Sequence, residues 1–411
     1  MAISAAAHTA GTTDQPPEDL RLLAGEDCWW AVSGTRTARL PKHAVTQTSG
    51  RNILVPEALD ALNAQRFFRA APRDTYAVTV LTATACNLGC NYCFQNLELA
   101  PQGSYAPPRI PNEVLDTERV QNVVSFVKRQ MRTYGFSQSS LLVFGGEPLL
   151  NPAGTLDLLH AMSDVNLIDA DMVTNGVLLK PSLATQLAAA GLNRAQITFD
   201  GAQNLHDQIR VTRNGRGTYD QILRNVRHAA EKTELSWHFR VNISHRNLDG
   251  LETLIDDLGT AVPAGRASLH LALIDDNGLG YENTVGYSAE YAQRFTELHE
   301  RAIAHGLFIP LSKPLSVCPY CSAFGGEQGA VINADGQLYS CWENAGREGW
   351  DVGSVSHGYR SADEIRSRWV ACDFDVKSHG SKEDTRSFFD RLDATALDAM
   401  YRKGRMKPSQ R

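Results

Sequence analysis

The sequence predicts an α/β protein: a parallel sheet with helices outside it, preceded by a small α+β region and followed by a cysteine-bearing extension. Three observations carry this. From Tyr76 onward, short apolar strand-like runs alternate with helix-like stretches six times in succession. Strands joined by helix-length crossovers pair in parallel, in an open or barrel-like sheet. Glycine-bearing polar turns stand directly after several of these runs, where such sheets place their ligands. Near Leu311 the alternation stops, and Cys318, Cys321, Cys341 and Cys372 follow.

Taken in order, residues 1–20 lack both a basic start and a long apolar stretch. They read as a flexible cytoplasmic tail rather than a signal peptide. Residues 21–75 form a small separate region, with a strand around Cys28–Val32 and a short helix from Pro56, proline standing in its first turn. The six strands are expected at 77–81, 141–144, 171–173, 195–199, 238–243 and 268–273. Their helices are expected near 117–134, 154–163, 181–190, 218–234, 247–259 and 288–306. Residues 76–310 thus make the repeating domain, 311–390 the cysteine-bearing one, and 391–411 a C-terminal helix with a basic tail that frays.

Composition narrows the partners. The chain has 411 residues, 43% hydrophobic and 21% charged, with a net charge of −6. That balance gives no electrostatic reason to expect nucleic acid. No run of about 18 apolar residues predicts a membrane span. Eight cysteines in a long chain with no export signal point to metal rather than to disulfides. Soft thiolates suit zinc or iron–sulfur clusters.

Cys86, Cys90 and Cys93 follow the first strand of the repeat in the order CxxxCxxC, with Tyr92 before the last cysteine. Three thiolates on one loop can hold three corners of a cubane cluster and leave one iron open to a ligand. Zinc, or three buried thiols, is the other reading, but zinc sites usually pair two CxxC hooks. Gly145-Gly146-Glu147-Pro148 ends the second strand, and Thr174-Asn175-Gly176 the third. Thr198-Phe199-Asp200-Gly201 ends the fourth, followed by His206-Asp207-Gln208-Ile209-Arg210. Each alone is a weak turn signal.

Together, and in this order, they resemble the radical S-adenosylmethionine (SAM) superfamily. The resemblance covers roughly 76–310 and implies a (βα)6 partial TIM barrel. It implies a catalytic 4Fe–4S cluster on Cys86, Cys90 and Cys93, reductive cleavage of SAM, and a 5′-deoxyadenosyl radical that abstracts a substrate hydrogen. A reducing flavodoxin or ferredoxin is the implied partner. By the same resemblance Tyr92, Gly145, Gly146, Glu147, Pro148, Asn175, Thr198, Asp200 and Arg210 belong to the SAM site. The 145–148 turn would contact the SAM amino group, and Arg210 would pair with its carboxylate. A guanidinium fork suits a carboxylate. Asn242 on the fifth strand either reaches SAM or makes core hydrogen bonds.

The second cysteine group resembles the SPASM and Twitch extensions of that superfamily. Cys318 and Cys321 form a CxxC hook; Gly336 and Cys341 follow, with four residues between them. The intervening segment reads as a β-hairpin with an Asp335-Gly336 turn that returns Cys341 to the hook. The further cysteine run of a full SPASM domain is missing, and Cys372 alone remains downstream. The resemblance therefore implies one auxiliary 4Fe–4S cluster on Cys318, Cys321, Cys341 and Cys372. Four cysteines also satisfy tetrahedral zinc. Cys28 reads as a buried thiol.

Trp342 and Glu343 follow Cys341, where sulfatase-maturating relatives carry an aspartate. This departs from formylglycine formation and resembles peptide-maturing relatives. The expected function is maturation of a ribosomally made precursor peptide by hydrogen abstraction and cross-linking or a related modification, with Glu343 as a base. Residues 21–75 either recognise a leader peptide by strand addition or only pack on the barrel. A Twitch-type dehydrogenase of a small alcohol or sugar, and a non-catalytic metal-binding scaffold, are the alternatives.

Overall fold

The computed structural model describes residues 17, 19–48, 50–68, 74–274, 285–312, 318–370 and 382–406. Residues 1–16, Cys372 and the last five residues fall outside them. The chain divides into two compact units, 1–72 with 387–411, and 73–386.

In the first unit, strands β1 (Arg21–Ala24), β2 (Cys28–Ser33) and β3 (Arg36–Pro41) form an antiparallel sheet with β2 in the middle. A hairpin, β4 (Val45–Thr48) and β5 (Arg51–Leu54), leads into helix α1 (Pro56–Ala64), with proline in its first turn. Ala31, Val45, Leu54, Leu62 and Phe67 form the core.

The second unit opens with β6 (Thr75–Ala83), α2 (Thr117–Tyr134), β7 (Gln138–Gly145) and α3 (Pro152–Met162). It continues with β8 (Leu167–Thr174), α4 (Pro181–Ala189), β9 (Arg194–Phe199), α5 (Gln203–Ile209) and α6 (Tyr219–Lys232). Then come β10 (Ser236–Ile243), α7 (Leu251–Ala261), β11 (Ala267–Leu273) and α8 (Ala289–Ala304). Strands β6 to β11 lie side by side in chain order, all parallel. This is the partial (βα)6 barrel. The helix limits follow local chemistry. Asp116, for example, accepts a 2.8 Å bond from Arg119 N at the start of α2, and left-handed Gly135 ends it.

Burial alternates along the strands. Val143, Met172, Ile197, Phe239 and Leu269 are 0% exposed. Phe199 and Phe239 touch, and Phe199 meets Tyr219 of α6, so this face lies under the helices. The intervening residues Leu142, Phe144, Asp171, Val173, Gln196, His238 and Arg240 are only half-buried, and His270 is exposed. The concave face is therefore open.

The expected hairpin of the extension is present as β12 (Gly329–Ile332) and β13 (Gln337–Tyr339). It does not stand apart. β12 pairs in parallel with β6, and β14 (Gly353–Ser354) and β15 (Gly358–Tyr359) complete a ten-stranded sheet. A short helix, α9 (Ala362–Ile365), starts at a Ser361–Glu364 capping box. The last helix, α10 (Lys382–Arg402), begins before residue 391, where the C-terminal segment was expected to start. From Ser387 onward its residues belong to the first unit. There Asp390 and Asp393 hold Arg21 at 2.6 and 2.7 Å, and Asp398 accepts from Trp30 Nε1 at 2.8 Å. Cys28 is buried beside Asp398, and burial raises its thiol. Among the described residues no helix is long and apolar enough to cross a membrane.

Candidate cofactor site at the ends of the parallel strands

The cysteine loop leaves the end of β6 and is held through its backbone by the 211–213 segment. Gly89 N donates to Val211 O at 2.9 Å, and Arg213 Nε to Cys86 O at 3.1 Å. A Cβ on Gly89 would stand 1.9 Å from the Tyr105 carbonyl oxygen, so only glycine lets these strands of chain approach. Asn96 Nδ2 donates to the carbonyls of Cys90 and Asn91 at 3.0 and 3.2 Å, closing the second half of the loop. Cys90 is buried; Cys86 and Cys93 are half-buried. Asn175 Nδ2 reaches Asn87 Oδ1 at 2.8 Å and Cys86 Sγ at 3.8 Å.

Burial raises the Cys86 thiol and pushes Cys90 up to about 12, and the neighbouring cysteines add to both shifts. Three mutually repelling thiolates in a buried loop are unfavourable until a cation neutralises them. That donor set fits an iron–sulfur core. Among the described residues no three His, Cys, Asp or Glu side chains meet around a single metal ion.

The Gly145–Pro148 turn closes on the same strand end. A Cβ on Gly146 would lie 2.3 Å from Thr84 O and 2.4 Å from Ala85 O. Glu147 is 0% exposed. Its Oε1 accepts from Leu149 N (3.0 Å) and Thr174 Oγ1 (2.7 Å), and its Oε2 from Asn175 N (2.7 Å). Burial raises this carboxyl, and those three donors oppose the shift. The side chain thus ties the ends of β7 and β8 together beneath the site, and Pro148 opens a short 3-10 turn beyond it.

Tyr92 is the junction of the remaining residues. Its hydroxyl donates to Asp200 at 2.7–2.9 Å and accepts from Arg210 Nη1 at 2.9 Å and Asn242 Nδ2 at 3.0 Å. Burial holds the phenol well above its ordinary value, with Asp200 adding to it, so it stays protonated. Asp200 is raised by burial against the pull of Arg210 and Tyr92. Burial lowers Arg210, but Tyr92, Cys90 and Asp200 outweigh it, so the guanidinium stays charged. Nη1 also lies 3.4 Å from Asp200 Oδ2. Arg210 Nε is buried without a partner. The edge formed by Nε and Nη2 is the one that grips a carboxylate with two parallel bonds, and it fits the carboxylate of SAM.

His206 braces Arg210. Its Nδ1 accepts from Asp200 N at 3.4 Å. Thr218 Oγ1 gives its proton to Arg210 O at 2.6 Å, so it accepts from His206 Nε2 at 3.1 Å. Burial, then Arg210, hold the imidazole well below its ordinary value, so it is neutral. Thr198, on β9 before Asp200, is buried at the same strand end. The motifs contain Asn87, Thr174 and His206 but assign them no role, and Thr218 lies outside them. Only tertiary contacts reveal them.

Residues 80–258 match the family model described as the Radical SAM superfamily. The chain carries a radical SAM domain. A fold of this family implies a 4Fe–4S cluster and SAM. A probable GTP 3′,8-cyclase of Sulfurisphaera tokodaii is 25% identical over 293 residues, 68% of this chain and 84% of the relative. Mycofactocin maturase MftC of Mycobacterium tuberculosis is 25% identical over 269 residues, 62% of each. The solved structure of native anSMEcpe with bound AdoMet has a TM-score of 0.56 at 13% identity, covering 80% of this chain and 99% of that one. The same protein with bound AdoMet and Cp18Cys peptide gives 0.53 at 12% identity, covering 80% and 98%. These two likenesses establish the shared fold.

Beyond the radical SAM domain, Cys318, Cys321 and Cys341 lie on the extension; Cys321 and Cys341 are buried. Tyr320 and Trp342, neighbours of Cys321 and Cys341, meet edge to face at 5.6 Å. Trp342 also packs on Phe144 (6.3 Å), which stacks on Phe94 (6.1 Å), the residue after Cys93. Arg347 Nη2 donates to Phe94 O at 2.7 Å. The extension is thereby fastened to the cysteine loop. Glu343 is half-buried in the turn after Trp342. Cys372 lies outside the described residues.

Proposed function

We propose that this enzyme matures a ribosomally made precursor peptide, abstracting a hydrogen and installing a cross-link or related modification. The single observation that carries the cofactor assignment is that Cys90 lies near Cys86, Cys93 and Arg210, whose Nε is buried without a partner. When bound, the cluster and SAM supply the 5′-deoxyadenosyl radical. The chain's own residues do the rest. Arg210 takes the SAM carboxylate, Glu147 and Asn175 hold the strand ends in register, and Tyr92 and Asn242 fix Arg210.

The concave face supports a substrate with both apolar and polar parts. Leu142, Phe144, Val173 and Trp342 form one side; Gln196, His238, Ser268 and His270 form the other. A peptide side chain with its backbone amides has that character, and likeness to a mycofactocin maturase points the same way. The three-stranded sheet of the first unit has β1 and β3 at its edges, suited to strand addition by a leader segment. Cys318, Cys321, Cys341 and Cys372 are the proposed ligands of a second, auxiliary 4Fe–4S cluster in a shortened SPASM or Twitch arrangement. Glu343, beside Trp342, is the proposed proton acceptor, and a flavodoxin or ferredoxin the reductant. Oxygen-sensitive thiolate clusters fit a cytoplasmic setting. A small-molecule substrate is the second reading, supported by likeness to a GTP 3′,8-cyclase.

Anaerobic reconstitution with iron and sulfide, metal counting and reduction with SAM test the proposal. About eight irons per chain and release of 5′-deoxyadenosine are expected. Replacing Cys86, Cys90 and Cys93 with alanine should leave about four irons and no SAM cleavage. Cleavage retained in that variant would overturn the assignment.

A further inference from the structure

We infer that the Tyr92 hydroxyl is a positioning group: it holds Arg210 open toward the carboxylate of SAM and keeps it from closing onto Asp200. This rests on the proposed role of Arg210. A phenol has one proton and two lone pairs. Here Asp200 takes the proton, and Arg210 Nη1 and Asn242 Nδ2 fill the lone pairs. Nothing is left on this oxygen for a ligand, so its work is internal to the protein.

The competitor is Asp200. It is 0% exposed and sits 3.4 Å from Arg210 Nη1, farther than the Tyr92 oxygen at 2.9 Å. A buried carboxylate and a guanidinium favour two parallel bonds. By donating to both oxygens of Asp200, the phenol answers the carboxylate with a neutral donor. By accepting from Nη1, it also anchors the guanidinium at one corner. The pair is thus kept to a single long contact, and the Nε edge of Arg210 stays unpaired. Asn242 locks the arrangement from β10. Arg240 Nε donates to Asn242 Oδ1 at 2.8 Å, which turns the amide nitrogen toward Tyr92. Without the hydroxyl, Arg210 rotates its Nε edge onto Asp200, and the SAM carboxylate loses its partner.

The test is a ligand cycle on the reconstituted full-length enzyme under anaerobic conditions. SAM and decarboxylated SAM are titrated against the parent protein and Tyr92→Phe, with iron counted in each. Tyr92→Phe is expected to weaken SAM roughly tenfold, the loss of one charge-assisted hydrogen bond, and to leave affinity for decarboxylated SAM unchanged. Should Tyr92→Phe fail to hold iron, Asn242→Leu, outside the cysteine loop, is read in the same cycle and is expected to show the same selective loss. Equal weakening of both ligands would mean that the phenol merely supports the loop, and unchanged SAM affinity would remove it from the site; either overturns the inference. A parent protein that holds its iron but binds neither ligand overturns the SAM reading itself.

Discussion

Glu147 shows how far a single residue's chemistry reaches. Ionised, it is an acceptor only, and it faces three donors from two strand ends. Glutamine has the same shape but presents an NH2 on one side, so in either orientation that group meets Leu149 N or Asn175 N. Glu147→Gln should therefore cost about 1–3 kcal/mol, read as a lower denaturant midpoint; an unchanged midpoint would mean that the turn does not depend on its acceptors. At this scale the sequence displayed the cysteines, the glycines and Arg210, because their spacing along the chain is itself the pattern. The partners of those residues were not displayed. Thr174 and Asn175 meet Glu147, and Tyr92 meets Asp200 and Asn242, across more than twenty residues of chain. No local pattern encodes such a pairing.

The six strand–helix units were legible because each buries one periodic face, and period is what a sequence shows most clearly. Their observed limits differ from the expected ones by a few residues. What escaped were elements without a period of their own. Helix α5 has seven residues in a polar connection, and the parallel pairing of β12 with β6 joins segments about 250 residues apart. Helix α10 escaped in part because its contacts in the first unit include ion pairs and hydrogen bonds beside its apolar packing. Arg21, at 13% side-chain exposure, bridges Asp390 and Asp393, the latter only 2% exposed. Replacing Arg21 with leucine removes this cation from buried Asp393. A loss of roughly 3 kcal/mol is expected, loosening the sheet–helix contact of the first unit and speeding proteolysis within 19–68. An unchanged cleavage rate would show that apolar packing alone holds helix and sheet together.

Across the whole molecule, the motifs identified the cofactor chemistry but not the substrate. The concave face that would receive a substrate is assembled from one or two residues on each of several strands. Burial elsewhere governs how the molecule responds to acid. His299 on α8 is buried with Nδ1 unpaired, and burial lowers it to about 4; burial also holds His206 well below its ordinary value. In the unfolded chain each takes up a proton near pH 6.5. Between about 6.5 and the folded values, the unfolded chain therefore binds more protons, and stability drains as pH falls. The fully buried carboxylates Glu147 and Asp200 are raised by burial and act in the opposite sense, holding protons in the fold that the unfolded chain has released. The parent's total slope mixes the two, so the histidine contribution is best isolated by difference. His299→Leu removes one buried base from a site where it accepts or donates nothing at Nδ1. Unfolding free energies of parent and variant, measured from pH 7 to pH 4.5, should run parallel above about 6.5 and diverge below it, the variant losing less. Curves that stay parallel throughout would place His299 in solvent and overturn its burial.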